Sequence, residues 1–306
     1  MIDYMNMNKN DKPEITLIVG DLHLHPDFLE RTSNVANAVN ASKIVFLGDY
    51  QDYWNAPTAM HVGMIERMVD FHDNMKTNMV YLLGNHDVFY YVDRNTQYFN
   101  HVKYRSPGHD EIAYIDVHER MLSIHDLFKI SVVVHNPVNN ADYLCSHAGV
   151  TNWWINKHCK QLKNDDIDNE TMFTVHDYMK TLNSMMINEK WFDLFTQGKA
   201  RYGHDGAPSP LWADKVELDY DYVKGLNQIV GHTPMRTITM QSTCNQQLIY
   251  CDTMSYMDNG TPIGDGSLLV IGNNAIINEN IKNNNADNIY AITELSAGVN
   301  VITTDW

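Results

Sequence analysis

Three short apolar runs, residues 15–20 (ITLIVG), 44–48 (IVFLG) and 79–84 (MVYLLG), each end at a glycine followed by Asp or Asn. Bounded, β-branched runs of this length predict buried strands. Between the first two, residues 29–41 are polar and Ala-containing and predict a helix. Between the next two, residues 58–76 place Met60, Met64, Ile65, Met68 and Phe71 at helical spacing. That methionine stripe reads as the core-facing side of a helix. The resulting βαβαβ order implies parallel strands joined by right-handed crossovers. Residues 131–134 and 143–146 predict further strands, residues 171–198 are mostly helical, and residues 229–231 end a short strand. From residue 247 onward, LIYCD, SLLVIG, AIIN, IYAIT and VNVITT follow closely. They read as antiparallel hairpins forming a second sheet, with a polar turn at 283–288. No internal repeat and no long linker interrupts the pattern, so residues 1–306 read as one α/β domain with a polar extension at 1–13.

Composition narrows the classes. The 306 residues are 44% hydrophobic, enough for a sizeable core. Acidic residues number 38 against 22 basic ones, a formal net charge of -16. Such a chain repels phosphate backbones, so duplex nucleic acid is not an expected partner. Cys145, Cys159, Cys244 and Cys251 form no C-x-x-C pair, so no zinc ribbon or redox motif is signalled. The polar start lacks an apolar signal region, and no apolar run approaches the roughly 20 residues that span a bilayer. The expected location is a cytoplasm (a host's, if the chain is viral), with no membrane contact.

The chemistry sits where the runs end. GDLH (20–23), GDYQD (48–52) and GNHD (84–87) follow the first three predicted strands; SHAG (146–149) and GHTP (231–234) follow later ones. Carboxylate, amide and imidazole donors together suit manganese, with iron or zinc as alternatives. Two such ions can clamp a phosphate and activate water. One carboxylate must then bridge the ions, and Asp49, on the middle motif, is the natural bridge. Asp21 and His23, at i and i+2 of an extended segment, reach the same side and one ion. Asn85, His147 and His232 complete the second. Residues 165–170 (DDIDNE) lack the glycine and the terminal Glu of a calcium loop at their proper offsets and read as solvated. Trp153 and Trp154, just after His147, read as packing beneath the site, or as flanking a substrate base.

This motif series resembles the calcineurin-like metallophosphoesterases. It is most similar to the phosphoprotein phosphatase branch, which includes bacterial and phage protein phosphatases and symmetrical diadenosine tetraphosphatases. SPLWAD (209–214), IYCDT (249–253) and GSLLVI (266–271) resemble that branch's later segments. The resemblance implies a two-sheet β-sandwich flanked by helices, in four layers. It implies Asp21, His23 and Asp49 on one metal, and Asp49, Asn85, His147 and His232 on the other. It makes His86 the general acid and Asp52 the carboxylate that orients it. The implied reaction is hydrolysis of a phosphorylated protein, of the Ser/Thr kind. A nucleotide or dinucleoside polyphosphate is the alternative, and a non-catalytic scaffold a distant third.

Two departures stand out. Tyr53 occupies the position where that branch carries a phosphate-binding Arg, and a tyrosine offers no bidentate charge. Arg201 is the first candidate to compensate and Arg236 the second. The Gly-His-x-His of many relatives is also absent: Pro234 and Met235 follow GHT. The first metal is left with three protein ligands, which argues for the phosphatase branch over the nuclease branch.

Overall fold

The computed structural model describes residues 14–53, 56–159, 173–243, 246–257, 259–284, 286 and 289–304. Along the chain, β1 (Thr16–Val19) leads through α1 (Asp27–Val39) to β2 (Lys43–Phe46), and through α2 (Thr58–Asn74) to β3 (Asn78–Leu82). Three helices follow, α3 (Val88–Tyr91), α4 (Phe99–Lys103) and α5 (Tyr114–Ser123). Then come β4 (Phe128–Lys129), β5 (Ser131–Asn136) and β6 (Ala141–Ser146). Helices α6 (Asn152–His158), α7 (Val175–Ile187), α8 (Trp191–Leu194) and α9 (Lys215–Tyr220) precede β7 (Gln228–Val230), β8 (Thr239–Thr243), β9 (Gln246–Tyr250) and β10 (Leu268–Ile271). The described chain closes with α10 (Asn274–Asn283), β11 (Ile289–Ser296) and β12 (Val299–Thr304).

The strands form two sheets, a seven-stranded one in the order β11-β12-β10-β1-β2-β3-β4 and a five-stranded one in the order β5-β6-β7-β9-β8. β1, β2 and β3 run parallel, as the βαβαβ pattern requires. Alternation along each strand builds two cores. Ile18, Val45 and Leu82 point between the sheets and share a core with Val134, Cys145, Ile229 and Ile249. Their neighbours Leu17, Val19, Ile44 and Phe46 turn to the other face, where Leu29, Val35, Met64, Ile65 and Met68 of α1 and α2 cover them. Each such buried side chain contributes roughly 1.5–3 kcal/mol. On the far side, Leu218 of α9 packs with Val230, Leu248 and Tyr250. The result is a mixed α/β sandwich of two sheets with helices on both outer faces.

The structure corrects the C-terminal reading. AIIN is the first half of α10, not a strand. Asn273 caps it by accepting hydrogen bonds from the N–H groups of Ala275 and Ile276, and Ile277 supplies its buried face. A short apolar run without a clear period permits either element, and the cap decides. The closing strands also do not build a second sheet of their own. β10 pairs antiparallel with β1, and β12 and β11 extend that same first sheet. Only LIYCD, as β9, joins the second sheet, parallel to β7. Met60 stands 40% exposed, outside the buried stripe of its helix.

Trp154 is buried and donates from its indole to the Asp193 carbonyl, whereas Trp153 is exposed beside Tyr220. Cys145, Cys159 and Cys251 are buried free thiols. Residues 165–170 and Cys244 lie outside the described residues. Among the described residues, no helix is long and apolar enough to cross a membrane.

Candidate metal centre

The loops after β1, β2 and β3 are stitched into one unit by their backbones. The N–H groups of Leu22 and His23 donate to the Asp49 carbonyl at 3.0 and 2.8 Å, and Leu24 donates to Tyr50. The Asp87 carboxylate accepts four more backbone bonds, from Asp49, Tyr50, Gln51 and Gly84, at 2.8 to 3.2 Å. His23, Asp49, Asp52 and His232 all hold positive φ, between 40° and 65°. Non-glycine residues adopt this region at a cost, and such strain gathers where side chains must be aimed.

Two glycines explain the spacing of the motifs. A Cβ on Gly84 would lie 2.1 Å from Asp49 Oδ1, and one on Gly231 would lie 2.1 Å from Asp21 Oδ1. The backbone must pass directly over each carboxylate, and only glycine permits that approach.

These loops bring the donor atoms into two groups. The donor atoms of Asp49, His147 and His232 lie within 4.8 Å of one another, as do those of Asp21, His23 and Asp49. Asp49 belongs to both. His147 Nδ1 faces the Leu47 carbonyl at 2.9 Å, which places the ring proton there. Its bare Nε2 then faces Asp49 Oδ2 at 3.3 Å, Asn85 Oδ1 at 3.0 Å and His232 Nδ1 at 3.1 Å. Lone pairs pointing at one another repel unless a cation sits among them. His232 Nε2 and Asp252 Oδ1 are buried with no hydrogen-bond partner. On these observations the residues fit a pair of divalent ions.

The electrostatics agree. Burial, with Asp252 and Asp49 nearby, raises the Asp21 carboxyl well above its usual range. Burial also raises Asp252, and burial with Asp49 pushes Asp87 up to about 7. Asp49 goes the other way: burial opposes its charge, yet His147 and His86 hold it well below the usual range. Burial, then Arg201 and His147, keep His232 well below an ordinary histidine. Burial pulls His86 down, but Asp49 and the bonded Asp52 outweigh it and push it up to about 9. Four buried carboxylates so close together call for added positive charge.

His86 sits above Asp49, donating its backbone N–H to Asp49 Oδ1 at 2.9 Å, while its Nδ1 lies 3.2 Å from Asp52 Oδ2. A cavity of about 210 Å³ opens over these groups, with Tyr53, Tyr256, Trp212 and Arg201 on its walls. Arg201 pairs with Asp214 at 2.8 Å and donates to the His232 carbonyl. Tyr53 bonds through its hydroxyl to the Met257 carbonyl. Arg236 is exposed and does not line this cavity. Neither do Trp153 and Trp154.

A model of the Calcineurin-like phosphoesterase family matches residues 16–236 of the sequence. The chain belongs to that family. No curated protein matches this phosphoesterase in sequence. Among solved structures it is similar to a cold-active protein-tyrosine phosphatase of a psychrophilic Shewanella species, at 15% identity and a TM-score of 0.47, covering 86% of this chain and 76% of that one. It is also similar to an archaeal phosphodiesterase, at 11% identity and a TM-score of 0.35, covering 84% and 92% of the two chains. A dimetal phosphatase from Danio rerio gives 11% identity and a TM-score of 0.35, covering 86% and 96%.

The sequence reading gave no role to Asp87 or Asp252 in this phosphoesterase. Asp252 follows β9 after Cys251, so an apolar run again ends at an aspartate, but without the glycine that precedes Asp21 and Asp49. Its Oδ2 accepts from Ser255 at 2.8 Å, while His23 and Asp49 act on its charge. Asp87 stands within GNHD itself, next to His86.

Proposed function

We propose that this phosphoesterase is a dinuclear-metal phosphatase that hydrolyses phosphomonoesters, with phosphorylated Ser or Thr side chains of proteins as the substrate class. The sharing of Asp49 between two donor groups carries the reading. Asp21, His23 and Asp49 would hold one divalent ion, and Asp49, Asn85, His147 and His232 the other. Manganese is the first choice, on the mixed oxygen and imidazole donor set. The ions would supply Lewis acidity toward the phosphoryl oxygens and lower the pKa of water.

The chain's own groups do the rest. His86, with Asp52 Oδ2 at its Nδ1 to favour the protonated ring, can give a proton to the departing oxygen. Asp52 turns the ring through Nδ1, so that Nε2 is left for substrate. Arg201, fixed by Asp214, presents its remaining N–H groups to the phosphate, the task that Tyr53 cannot perform. The cavity of about 210 Å³ has room for a phosphate and a short stem. Sites that enclose a whole small molecule run to roughly 300–1,000 Å³, which favours a phosphate offered on a larger chain. Tyr53 and Tyr256 on the wall support the second reading, a nucleotide or dinucleoside polyphosphate.

The test is a substrate panel with and without manganese, beside Asp49→Asn. It comprises an aryl phosphate, a phosphoserine peptide, nucleoside phosphates and diadenosine tetraphosphate. Manganese-dependent turnover, best on the peptide and lost in the variant, is the expected result. Preference for a nucleotide selects the second reading. No turnover and no bound metal would overturn both.

A further inference from the structure

Behind Asp52 lies a buried polar chain that the proposed reaction does not use. Tyr90 Oη is 2.8 Å from Asp52 Oδ1, 3.2 Å from His61 Nδ1 and 2.9 Å from the backbone N of Asp110. His61 Nδ1 also lies 3.5 Å from Asp52 Oδ1. Tyr90, Asp52 and His61 are all buried. The donors can be assigned from these contacts. The Asp110 N–H can only donate, so it occupies one lone pair of the Tyr90 oxygen. The phenol has a single proton, and the carboxylate can only accept, so that proton points at Asp52. His61 Nδ1 must then carry a proton and donate to the Tyr90 oxygen or to Asp52. Burial lowers the affinity of His61 for a second proton, which suits a neutral ring.

The chain reaches Asp52 from three different elements. Tyr90 is on α3, directly after the loop that carries His86. His61 is on α2, and Asp110 precedes α5, anchored by the Thr58 hydroxyl. Asp52 itself sits at φ 65°, a conformation that needs outside support in a non-glycine residue. Left alone, its carboxylate could rotate about χ2 with little resistance.

We infer that Tyr90, backed by His61, is a positioning residue. It pins Oδ1 of Asp52 so that Oδ2 stays aimed at His86 Nδ1 and the opposite ring nitrogen stays aimed at the leaving oxygen. This rests on the reading of His86 as the acid, and it adds that the acid works only while the buried chain holds its carboxylate. Tyr90→Phe removes the hydroxyl and keeps the ring, so the packing of α3 is retained.

The consequence shows in leaving-group dependence. A 4-nitrophenolate departs without a proton, whereas the alkoxide of a phosphoserine peptide needs one. In manganese-loaded Tyr90→Phe, kcat on the peptide should fall about tenfold while kcat on 4-nitrophenyl phosphate stays within about twofold. KM and manganese content should not change. His61→Gln should show the same pattern more weakly, and it carries the test if Tyr90→Phe does not bind metal. Equal slowing on both substrates, or slowing on neither, overturns the inference. His86→Ala separates the two levels. If it too slows both substrates equally, the acid assignment fails, and the role of Tyr90 fails with it. If it slows only the peptide while Tyr90→Phe has no effect, the acid stands and the positioning role alone is lost.

Discussion

At the residue level, Asp49 is the position on which both donor groups depend. Asp49→Asn keeps the size and loses the charge, so metal content measured after purification should fall below two ions per chain. Turnover should drop at least about 10²-fold. Asp252→Asn should be milder. It stands beside the Asp21 group, and partners of that kind typically tune metal affinity by about 10–100-fold. Titration calorimetry with manganese should show one weakened step while the other holds. For His86, proton NMR of the ring in metal-free protein should give a pKa raised to about 9. Asp52→Asn should lower it, because a neutral amide no longer favours the imidazolium. Loading the ions should lower it too, by Coulomb repulsion. A value that rises on loading would show that the ring does not face the metals.

Among elements, the strand–loop junctions were the legible part. An apolar run, a glycine and then a polar donor mark β1, β2 and β3, and the structure brings Asp21, Asp49 and Asn85 together at their ends. The glycines announce themselves because Gly84 and Gly231 have carboxylates pressed against them. Gly231→Ala should therefore displace Asp21, and lose manganese at one site, with the far-UV spectrum unchanged. What was not legible depends on tertiary contact. Nothing in residues 88–127 declares that Tyr90 will meet Asp52, because that contact joins α3 to the loop after β2. Arg201 was named from the sequence as the first candidate for the phosphate, but its place on the cavity wall and its pairing with Asp214 are tertiary contacts that no local pattern announces. α10 was misread because the Asn273 cap is a single side chain beside an ambiguous apolar run. Asn273→Ala should cost about 1 kcal/mol, seen as a lower melting temperature without loss of activity.

For the whole molecule, the buried charges link stability to pH and metal. His86 and Asp87 both bind protons more tightly folded than unfolded, with values of about 9 and 7. Their contribution is complete below their unfolded values and is lost as pH rises through the folded ones. His232, held well below its usual value, acts in the opposite sense below about pH 6.5. Metal-free protein should thus melt at progressively lower temperature from pH 7 to 9, and manganese should flatten that slope. Thermal melts with chelator and with manganese check both signs. The arrangement also sets a time at which activity can begin. Asp21, Asp49 and Asn85 come from the first sheet, His147 and His232 from the second, and β1 finds its antiparallel neighbour only in β10. A chain emerging from the ribosome has made most of its donors long before it has made the strand that closes the sheet beneath them. A fragment ending before β10 should therefore carry the motifs without binding manganese, a loss that metal analysis of the purified fragment checks.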